Sequence, residues 1–431
     1  MPTKQKVLIL YRKRNDLLRM LEIKSISIGG FANIDKVSIN DTQTVALIAP
    51  NSYGKSNVLS AIAFGVKFLA AMPTEKASMM GNALAMSINK ATEGKPFSFE
   101  IIGTVQDGDT TSEFLYSYSF SWATNGKSGC INNETLRIKM AGDPKFRAAV
   151  LRESREHFKY LPWVTGRCNR EVPTEGNTLA LNKLSNQDDL FYVRLLRQVL
   201  SLDVPYVDTL ENPSAYFSAD SNGGVPLLGG QTVSAYIYQL MATDHGNYSM
   251  LKDAICKLLP NIERFEPTEV ILGEGLANRI YDIRIKEWNN SQPTSIRQIS
   301  SGSKRVIFIL TLCMAADIHH IPMMMLEEPE NSIHPRLLQN LLSAMRSIAI
   351  DTRLLITSHS PHLMRYFNAE QLLLGLPNDK GLAQFAMLKP GKVKTIYRRA
   401  SEMDITFGEY MYEMLLDMED DKSLIDDFFQ K

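Results

Sequence analysis

The sequence is poor in cysteine, which argues against domains stabilised by zinc and against domains stabilised by disulfides. Its four cysteines lie at positions 130, 168, 256 and 313 and form no C-x-x-C pair. Zinc sites and disulfide frameworks draw on closely spaced or paired cysteines. The pattern argues against both, and it favours a reducing compartment, so we expect a cytoplasmic protein.

The sequence also lacks an excess of charge and any long apolar run. Lys plus Arg and Asp plus Glu both number 47, so no overall field attracts the chain to nucleic acid or to a membrane. The most apolar short segments, such as VLIL at 7–10, are far below the roughly 18 residues that a membrane span requires. We therefore expect no membrane partner, and nucleic acid only through a local patch.

The first 19 residues lack the apolar core and the cleavage site of a signal peptide. They are basic, and Met20 opens a segment with the pattern of a first strand. We interpret residues 1–19 as a loosely held extension of the chain.

The length predicts more than one lobe, because a single hydrophobic core rarely exceeds about 250–300 residues. Apolar or alternating runs predict strands at 21–31, 44–49, 96–105, 112–122 and 131–139. From about 143 to 262 the pattern turns mostly helical. Strands and helices then alternate from 303 to 360, which predicts a parallel sheet with helices on its faces.

A strand, a loop and a helix at 47–65, LIAPNSYGKSNVLSAIAFG, have the layout of a phosphate-binding loop. Gly54 permits close approach to phosphates, Lys55 would reach the β- and γ-phosphates, and Ser56 would ligate Mg²⁺. The N–H groups at the helix start would bind anionic oxygens. However, the first glycine of the G-x-x-x-x-G-K-[ST] spacing is Ala49, and Ser52 replaces a common second glycine. The motif alone leaves a nucleotide site and a structural turn equally open.

Two carboxylates come directly after the apolar strand MMML at 323–326. Glu327 would hold Mg²⁺ through water, while Glu328 would orient and deprotonate an attacking water. A solvated strand end is the alternative interpretation. It is weaker here because four apolar residues run straight into the acidic pair.

Two shorter motifs lie on either side of this acidic pair. The segment Ser301, Gly302, Ser303 opens a buried helix whose N-terminus offers N–H groups and a positive dipole end. An ordinary serine cap is the alternative. In ITSHSPHL at 356–363 a strand ends at His359, and Ser360 then caps a helix with Pro361 at its first position. A lone histidine at a strand end is more often structural than catalytic.

In this order and spacing, the four motifs resemble an ATP-binding-cassette-type ATPase head of the SMC/RecF/OLD group. The likeness is greatest to standalone AAA-type ATPases of bacterial phage-defence and abortive-infection systems, and it covers about 20–141 and 265–375. It implies an α/β P-loop NTPase fold with a mixed central sheet flanked by helices, an antiparallel β subdomain and an inserted helical lobe. The expected segments are a basic extension (1–19), the two halves of the head (20–141 and 265–375), the helical lobe (142–264), and a basic hairpin with an acidic tail (376–431).

The resemblance also assigns site residues and the cofactors ATP and Mg²⁺. Walker A is the loop with Asn51, Ser52, Tyr53, Gly54, Lys55, Ser56 and Asn57, and the signature motif is Ser301, Gly302 and Ser303. Glu328 and the switch histidine His359 are the implied catalytic residues, and Ser56 and Glu327 are the implied Mg²⁺ ligands. ENSIHP at 330–335 occupies the loop that meets the other protomer. Two features depart from the family: Ala32 follows Phe31 where an arginine is common, and Gln106 is only a weak candidate for the glutamine loop.

The family pattern further implies a homodimer in which each signature helix caps the γ-phosphate bound to the other Walker A. We hypothesise an ATP-hydrolysing regulatory subunit that senses a trigger and controls a separate toxin or nuclease encoded nearby. The nuclease signals of OLD-type relatives do not follow His359, so we expect no cutting of nucleic acid by this chain. A RecF-like DNA-binding clamp and a non-hydrolysing scaffold held together by ATP remain alternatives. The basic run at 389–399 and the acidic tail from Glu402 are either solvated surface or a docking surface.

Overall fold

The computed structural model describes residues 21–40, 42–81, 86–107, 110–124, 126–207, 213–217, 224–271, 279–420 and 423–429. The extension predicted at 1–19 lies outside these residues. The chain divides into two compact units. The first contains the residues up to Thr42, then Pro50–Val204 and Gly375–Ala386. The second contains Gln43–Ala49, Pro205–Leu374 and the residues from Met387 onward.

Antiparallel strands dominate the described part of the first unit. Numbered in chain order, they are β1 (Leu21–Phe31), β2 (Ile34–Ile39), β4 (Phe97–Asp107), β5 (Thr110–Ser121), β6 (Cys130–Lys139), β7 (Arg147–Arg152), β8 (His157–Tyr160) and β9 (Arg170–Pro173). They form one sheet in the order β2-β1-β4-β5-β6-β7-β8-β9. Burial alternates along β5, as the period of two predicts for a sheet with one covered face. The short strand β17 (Gln384–Ala386) also belongs to this unit.

The described α-helices of the first unit are α1 (Lys55–Ala70), α2 (Pro73–Gly81), α3 (Ala180–Leu184) and α4 (Val193–Leu200). The first described α-helix of the second unit is α5 (Val233–Thr243). Helix α1 packs closely on the sheet at Gly65, where a Cβ would lie 2.3 Å from Cδ2 of Phe99. Tyr118 donates a hydrogen bond to the Gly65 carbonyl at 2.8 Å. A glycine is therefore required for this helix and sheet to approach each other.

The helical pattern predicted from about 143 is wrong for residues 147–173, which form β7, β8 and β9. These strands have four to six residues, too few to show a clear period of two in the sequence. Antiparallel pairing along the existing sheet edge stabilises them instead. Helices begin only at Ala180.

A parallel sheet forms the centre of the second unit. Among the described residues its strands are β10 (Tyr206–Val207), β14 (Met323–Glu327), β15 (Arg353–Ser358), β3 (Thr44–Ile48) and β16 (Leu372–Leu376), paired in that order. Every residue of β3 and β16 is buried, as expected for central strands. Three consecutive methionines at 323–325 build most of β14, and all of them are buried.

Helices cover this sheet, and a smaller antiparallel sheet accompanies it. The remaining helices are α6 (His245–Leu258), α7 (Ser301–Ile318), α8 (Pro335–Ile348), α9 (Pro361–Met364), α10 (Pro390–Glu402), α11 (Phe407–Asp420) and α12 (Ser423–Phe428). Strands β11 (Ile262–Ile271), β12 (Arg279–Glu287) and β13 (Thr294–Ser295) form the smaller sheet. The predicted β-α-β-α alternation from 303 to 360 is confirmed. Among the described helices, none combines the length and apolar character needed to cross a lipid bilayer.

The basic run at 389–399 is a helix, α10, so the predicted hairpin is wrong. Pro390 stands at its first position, where a proline is tolerated, and Ile396 and Ala400 form a buried i, i+4 pair. The described tail packs on this helix: Lys392 pairs with Asp427, and the Arg399 guanidinium lies 5.6 Å from the Phe428 ring centroid. The acidic tail therefore neutralises part of the basic run of its own chain.

Candidate active site

The phosphate-loop residues lie in the first unit and lead directly into α1. Gly54 is the N-cap of this helix, and no side chain forms a capping hydrogen bond there. Gly54 has a φ of 89°, and a Cβ would lie 2.7 Å from Cβ of Ala383 and 2.8 Å from Oδ1 of Asn33. Only glycine fits this position. A helix start without a side-chain cap is the kind of N-terminus at which anionic ligands bind.

Lysine and asparagine side chains fix the loop around this helix start. Lys55 is buried, and its Nζ donates to the Pro50 carbonyl at 3.0 Å, so the side chain curls back over the loop. Asn57 Nδ2 donates to Asn33 Oδ1 at 2.8 Å. Asn51 and Ser56 are exposed, and Tyr53 is half-buried. The loop thus offers one lysine and several exposed polar groups to a ligand.

The two positions that depart from glycine differ in backbone conformation. Ser52 has a φ of 70°, in the left-handed region that favours glycine. Ala49 is not among the described residues with a positive φ, and its N–H donates to the Ser358 carbonyl at 3.3 Å. Alanine at 49 therefore carries no backbone strain. The loop stores its strain at Ser52 instead.

Glu328 and His359 lie together in the second unit. They follow the neighbouring parallel strands β14 and β15, whose carboxyl ends meet at one edge of the sheet. Glu328 Oε1 and His359 Nδ1 are 2.7 Å apart, and Asn331 Nδ2 donates to Glu328 Oε2 at 2.9 Å. Glu328 has a φ of 45°, held by a hydrogen bond from its N–H to the Thr357 carbonyl at 3.0 Å. A half-buried carboxylate fixed on both oxygens can act as a proton acceptor, and strained backbone often clusters at functional sites.

Glu327 ends β14, and its carboxylate accepts a hydrogen bond from the Tyr206 hydroxyl of β10. The Glu327 carboxylate and the Ser56 hydroxyl are oxygen donors, the type of ligand that Mg²⁺ prefers. The donor chemistry of both predicted ligands therefore fits the metal. Tyr206 was not predicted, because 121 residues separate it from Glu327.

The signature segment begins α7 and contacts the loop that follows Glu328. The N-cap is Ser300, whose Oγ accepts from the Ser303 N–H at 3.1 Å, so the cap lies one residue before the predicted motif. A Cβ on Gly302 would lie 2.6 Å from the Ser332 carbonyl oxygen. Glycine therefore permits the helix start to touch this loop. Ser301, the first residue of this helix, is exposed.

Three polar residues of the second unit were given no catalytic or metal-binding role by sequence reasoning: Ser358 and Arg305 are buried, and Glu330 is half-buried. Ser358 donates its hydroxyl hydrogen to Glu330, and Arg305 of α7 is 3% exposed. Burial raises the pKa of Glu330 and lowers the pKa of Arg305. The one available signal was an arginine directly before the apolar run VIFIL of a helix already predicted to be buried.

Part of the chain matches a known family. Residues 229–365 match the model described as "AAA domain, putative AbiEii toxin, Type IV TA system". This range contains the signature segment, the acidic pair and His359, and it begins after the phosphate loop.

Solved SMC head domains share the fold. A crystal structure of an SMC head bound to the C-terminal winged-helix domain of ScpA has a TM-score of 0.51 at 11% identity, over 87% of this chain and 99% of that chain. An SMC head with an extended coiled coil from Pyrococcus furiosus, bound to the C-terminal domain of ScpA, has a TM-score of 0.46 at 12% identity, over 89% and 100% of the two chains. At this identity the first of these shows the fold alone. The predicted resemblance and fold class are confirmed: residues 229–365 match the AAA family model, and the first SMC head structure shares the fold of the chain.

Proposed function

We propose that the protein binds ATP with Mg²⁺ and hydrolyses the ATP, with Glu328 as the general base. The observation that carries this proposal is the 2.7 Å contact between the Glu328 carboxylate and His359. Its second support is the buried Lys55 at a helix start without a side-chain cap. Both features suit phosphoryl transfer, in which charge neutralisation and an oriented water account for most of the lowering of the barrier.

In the proposed reaction, water attacks the γ-phosphorus while its proton passes to the Glu328 carboxylate. The bond from the γ-phosphorus to its bridging oxygen breaks, so ADP and phosphate leave. His359 holds the Glu328 carboxylate in place, and Lys55 balances negative charge on the β- and γ-phosphates. Ser56 and Glu327 are the residues that would hold Mg²⁺, and the metal would supply further charge neutralisation at these phosphates. Asn51, Ser52, Tyr53, Gly54 and Asn57 shape the remainder of the phosphate loop.

The substitutions Glu328→Gln and Lys55→Ala test this assignment. Glu328→Gln is expected to keep ATP binding and to slow turnover about 10²–10⁴-fold, the range for a lost general base. Lys55→Ala is expected to abolish detectable binding of a fluorescent ATP analogue. Glu413→Gln on the exposed face of α11 is the matched control, since it makes the same change away from the site. Equal turnover by wild type and Glu328→Gln would remove Glu328 from the mechanism.

We further propose that ATP holds two copies of the chain together, with the N-terminus of α7 in one copy against the γ-phosphate bound to the other. The exposed Ser301 at that helix start supports this role. Light scattering after size exclusion is expected to give a dimer for Glu328→Gln with ATP and a monomer without nucleotide. A Glu328→Gln protein that stays monomeric at saturating ATP would exclude the dimer.

The physiological role that we propose is a cytoplasmic regulatory subunit that controls a separate effector in anti-phage defence. Two comparisons support it: the matching family model is named for a type IV toxin–antitoxin system, and the similar SMC head structure contains a bound partner domain. Phage plaque counts should fall only when this chain and a neighbouring effector gene are expressed together. Lys55→Ala should remove that protection. ATP-dependent degradation of DNA or RNA by the purified chain alone would overturn the proposal that a separate effector carries that activity.

A further inference from the structure

Tyr206 contacts the carboxylate of Glu327, one of the two residues proposed above to hold Mg²⁺. Its hydroxyl donates a hydrogen bond to Oε2 of Glu327. Both side chains are half-buried, so water competes for this bond less than it would on an open surface. Hydrogen bonds to carboxylates are among the stronger ones in proteins. The bond therefore restricts the directions in which Glu327 can present its oxygens to a ligand.

The backbone of β10 places the tyrosine where it can make this bond. In the parallel pairing of β10 with β14, Tyr206 is the partner of Met325. The Met325 N–H donates to the Pro205 carbonyl at 2.8 Å, which fastens the start of β10 to β14. Side chains alternate between the two faces of a strand, so Met325 and Glu327 lie on the same face. A tyrosine paired with residue 325 therefore reaches residue 327 by extending along the strand.

The hydrogen bond affects how the Glu327 carboxylate can hold a divalent cation. Ca²⁺ often takes both oxygens of a carboxylate, whereas Mg²⁺ requires near-octahedral geometry and usually keeps several of its waters. Contact with a cation through both oxygens would turn Oε2 away from the Tyr206 hydroxyl and toward the metal. A carboxylate that keeps the Tyr206 bond is therefore better suited to contact through one oxygen or through a water, which is the mode that Mg²⁺ prefers.

We propose that Tyr206 is a positioning residue that fixes Glu327 for Mg²⁺ and makes the site prefer Mg²⁺ to Ca²⁺. Tyr206 acts through Glu327 and not on the nucleotide. Hydrogen-bond partners of metal-ligating groups orient those groups, and their loss lowers metal affinity. The inference rests on the proposed ATP and Mg²⁺ site, and it adds the residue that sets the choice of cation there.

Metal binding to the full-length protein tests the proposal directly. Tyr206→Phe removes the hydroxyl and keeps the ring. Mn²⁺ accepts the same oxygen ligands as Mg²⁺, and electron paramagnetic resonance follows its binding in the presence of a non-hydrolysable ATP analogue. Competition by Mg²⁺ and by Ca²⁺ then gives the affinity for each. We expect Tyr206→Phe to weaken Mg²⁺ binding about tenfold, the lower end of the range for a lost partner of a metal ligand, and to weaken Ca²⁺ binding less.

A second tyrosine–glutamate hydrogen bond in the same unit provides a matched control. Tyr238 of α5 donates to Oε2 of Glu269 at 3.4 Å, and both side chains are half-buried. Glu269 lies on β11, in the smaller antiparallel sheet. Tyr238→Phe therefore makes the same chemical change on another carboxylate, and we expect it to leave the three metal affinities at their wild-type values. An equal loss of Mg²⁺ preference in both variants would show a general effect on the fold and overturn the proposal.

The dependence of turnover on Mg²⁺ gives a readout that a purely structural role would not change. If Tyr206 acts on the metal site, Tyr206→Phe should have a raised KM for Mg²⁺, while its kcat at excess Mg²⁺ stays within about twofold of wild type. Glu328→Gln, which lacks the proposed general base, should remain slow at every Mg²⁺ concentration. A fall in the kcat of Tyr206→Phe that excess Mg²⁺ does not restore would overturn the inference.

The binding data separate this inference from the proposed function. A loss of Mg²⁺ preference in Tyr206→Phe supports the inference even if wild type hydrolyses no ATP, and that result would count against hydrolysis alone. Unchanged metal affinities in Tyr206→Phe would overturn the inference and leave hydrolysis by wild type intact. Absence of Mn²⁺ binding to wild type with the ATP analogue would overturn both.

Discussion

Both units bury a glutamate and an arginine, but they satisfy them very differently. In the first unit, Glu134 accepts from the N–H groups of Ala180 and Leu181 at 2.6 and 3.1 Å and from the Tyr116 hydroxyl at 3.1 Å. Arg152 donates four hydrogen bonds to backbone carbonyls, at 2.7 to 3.0 Å. In the second unit, Glu330 and Arg305 both keep buried atoms without a partner among the described residues.

The contrast separates a fully hydrogen-bonded arrangement from an incompletely hydrogen-bonded one. Arg152 and Glu134 tie strands β6 and β7 to the start of α3 and to the 174–178 turn, and all three guanidinium nitrogens of Arg152 donate a hydrogen bond. Fully satisfied buried networks rigidify a core, whereas incomplete ones lower stability. Glu330, one of the two residues with unused atoms, accepts a hydrogen bond from Ser358, the residue before His359. This position agrees with the general observation that functional sites are often less stable than the rest of a protein.

The largest expected effect breaks the complete network. Arg152→Met removes a positive charge that acts on the buried Glu134 carboxylate and leaves several backbone carbonyls without donors. We expect it to lower the free energy of unfolding by about 3–5 kcal/mol, the usual cost of breaking a buried pair. Urea unfolding followed by circular dichroism measures this loss. A cost below about 1 kcal/mol would show that the network contributes little, and the contrast with the second unit would disappear.

The next effect has the opposite sign. Arg305→Met combined with Glu330→Gln removes both incompletely satisfied charges from the second unit. Replacement of buried ion pairs by packed uncharged residues is often neutral or stabilising by about 1–4 kcal/mol. We therefore expect the double variant to unfold at the same or higher urea concentration than wild type. A large loss of stability would place this pair in the same structural class as Arg152 and Glu134.

A third buried charge in the first unit gives a pH-dependent effect. Lys76 is fully buried, and burial lowers its pKa from 10.5 to about 8 although Glu134 and Glu75 act to raise it. Between about pH 8 and 10.5 the unfolded chain binds a proton at Lys76 that the folded chain has released, so this residue makes stability rise with pH. The slope is at most about 1.4 kcal/mol per pH unit. The difference in unfolding free energy between wild type and Lys76→Met across this range isolates it; a flat difference would contradict the lowered pKa.

The smallest effect concerns strain in the phosphate loop. Ser52→Gly removes a left-handed serine that costs about 1–2 kcal/mol, offset by about 0.5–1 kcal/mol of added freedom in the unfolded chain. We expect a net gain of up to about 1 kcal/mol in thermal or urea unfolding. Ala49→Gly is the matched comparison, expected to be neutral or slightly destabilising because Ala49 carries no such strain. The reverse order would mean that Ala49, not Ser52, is the costly substitution.

The sequence predicted the elements whose signals are local. Apolar runs located β3, β14 and β15, and the Gly-Lys-Ser triplet located the start of α1, because each signal lies within the element itself. The contact between Glu328 and His359 was not predicted; the two residues were assigned separately, and they meet because they follow neighbouring parallel strands. The roles of individual site residues remain predictions until they are measured.

Other features depend on pairing between distant residues, and the sequence pattern did not contain them. Strands β7 to β9 exist because an open sheet edge accepts them, not because their own four to six residues favour extension. Tyr206 reaches Glu327 across 121 residues. The contact of Gly302 with Ser332, which brings α7 against the 328–333 loop, needs the folded backbone to be seen. Propensity and periodicity cannot report such contacts, because they describe only neighbours along the chain.

The three methionines of β14 would make this strand, which ends at Glu327 directly before Glu328, sensitive to oxidants whenever it opens. Met323, Met324 and Met325 are at most 5% exposed, so peroxide cannot reach their thioethers while the strand is closed. Any opening that exposes them would convert apolar side chains into polar sulfoxides, which no longer fit a buried sheet. Peptide mass spectrometry would then detect sulfoxide at each of these methionines, which lie next to the groups proposed to hydrolyse ATP.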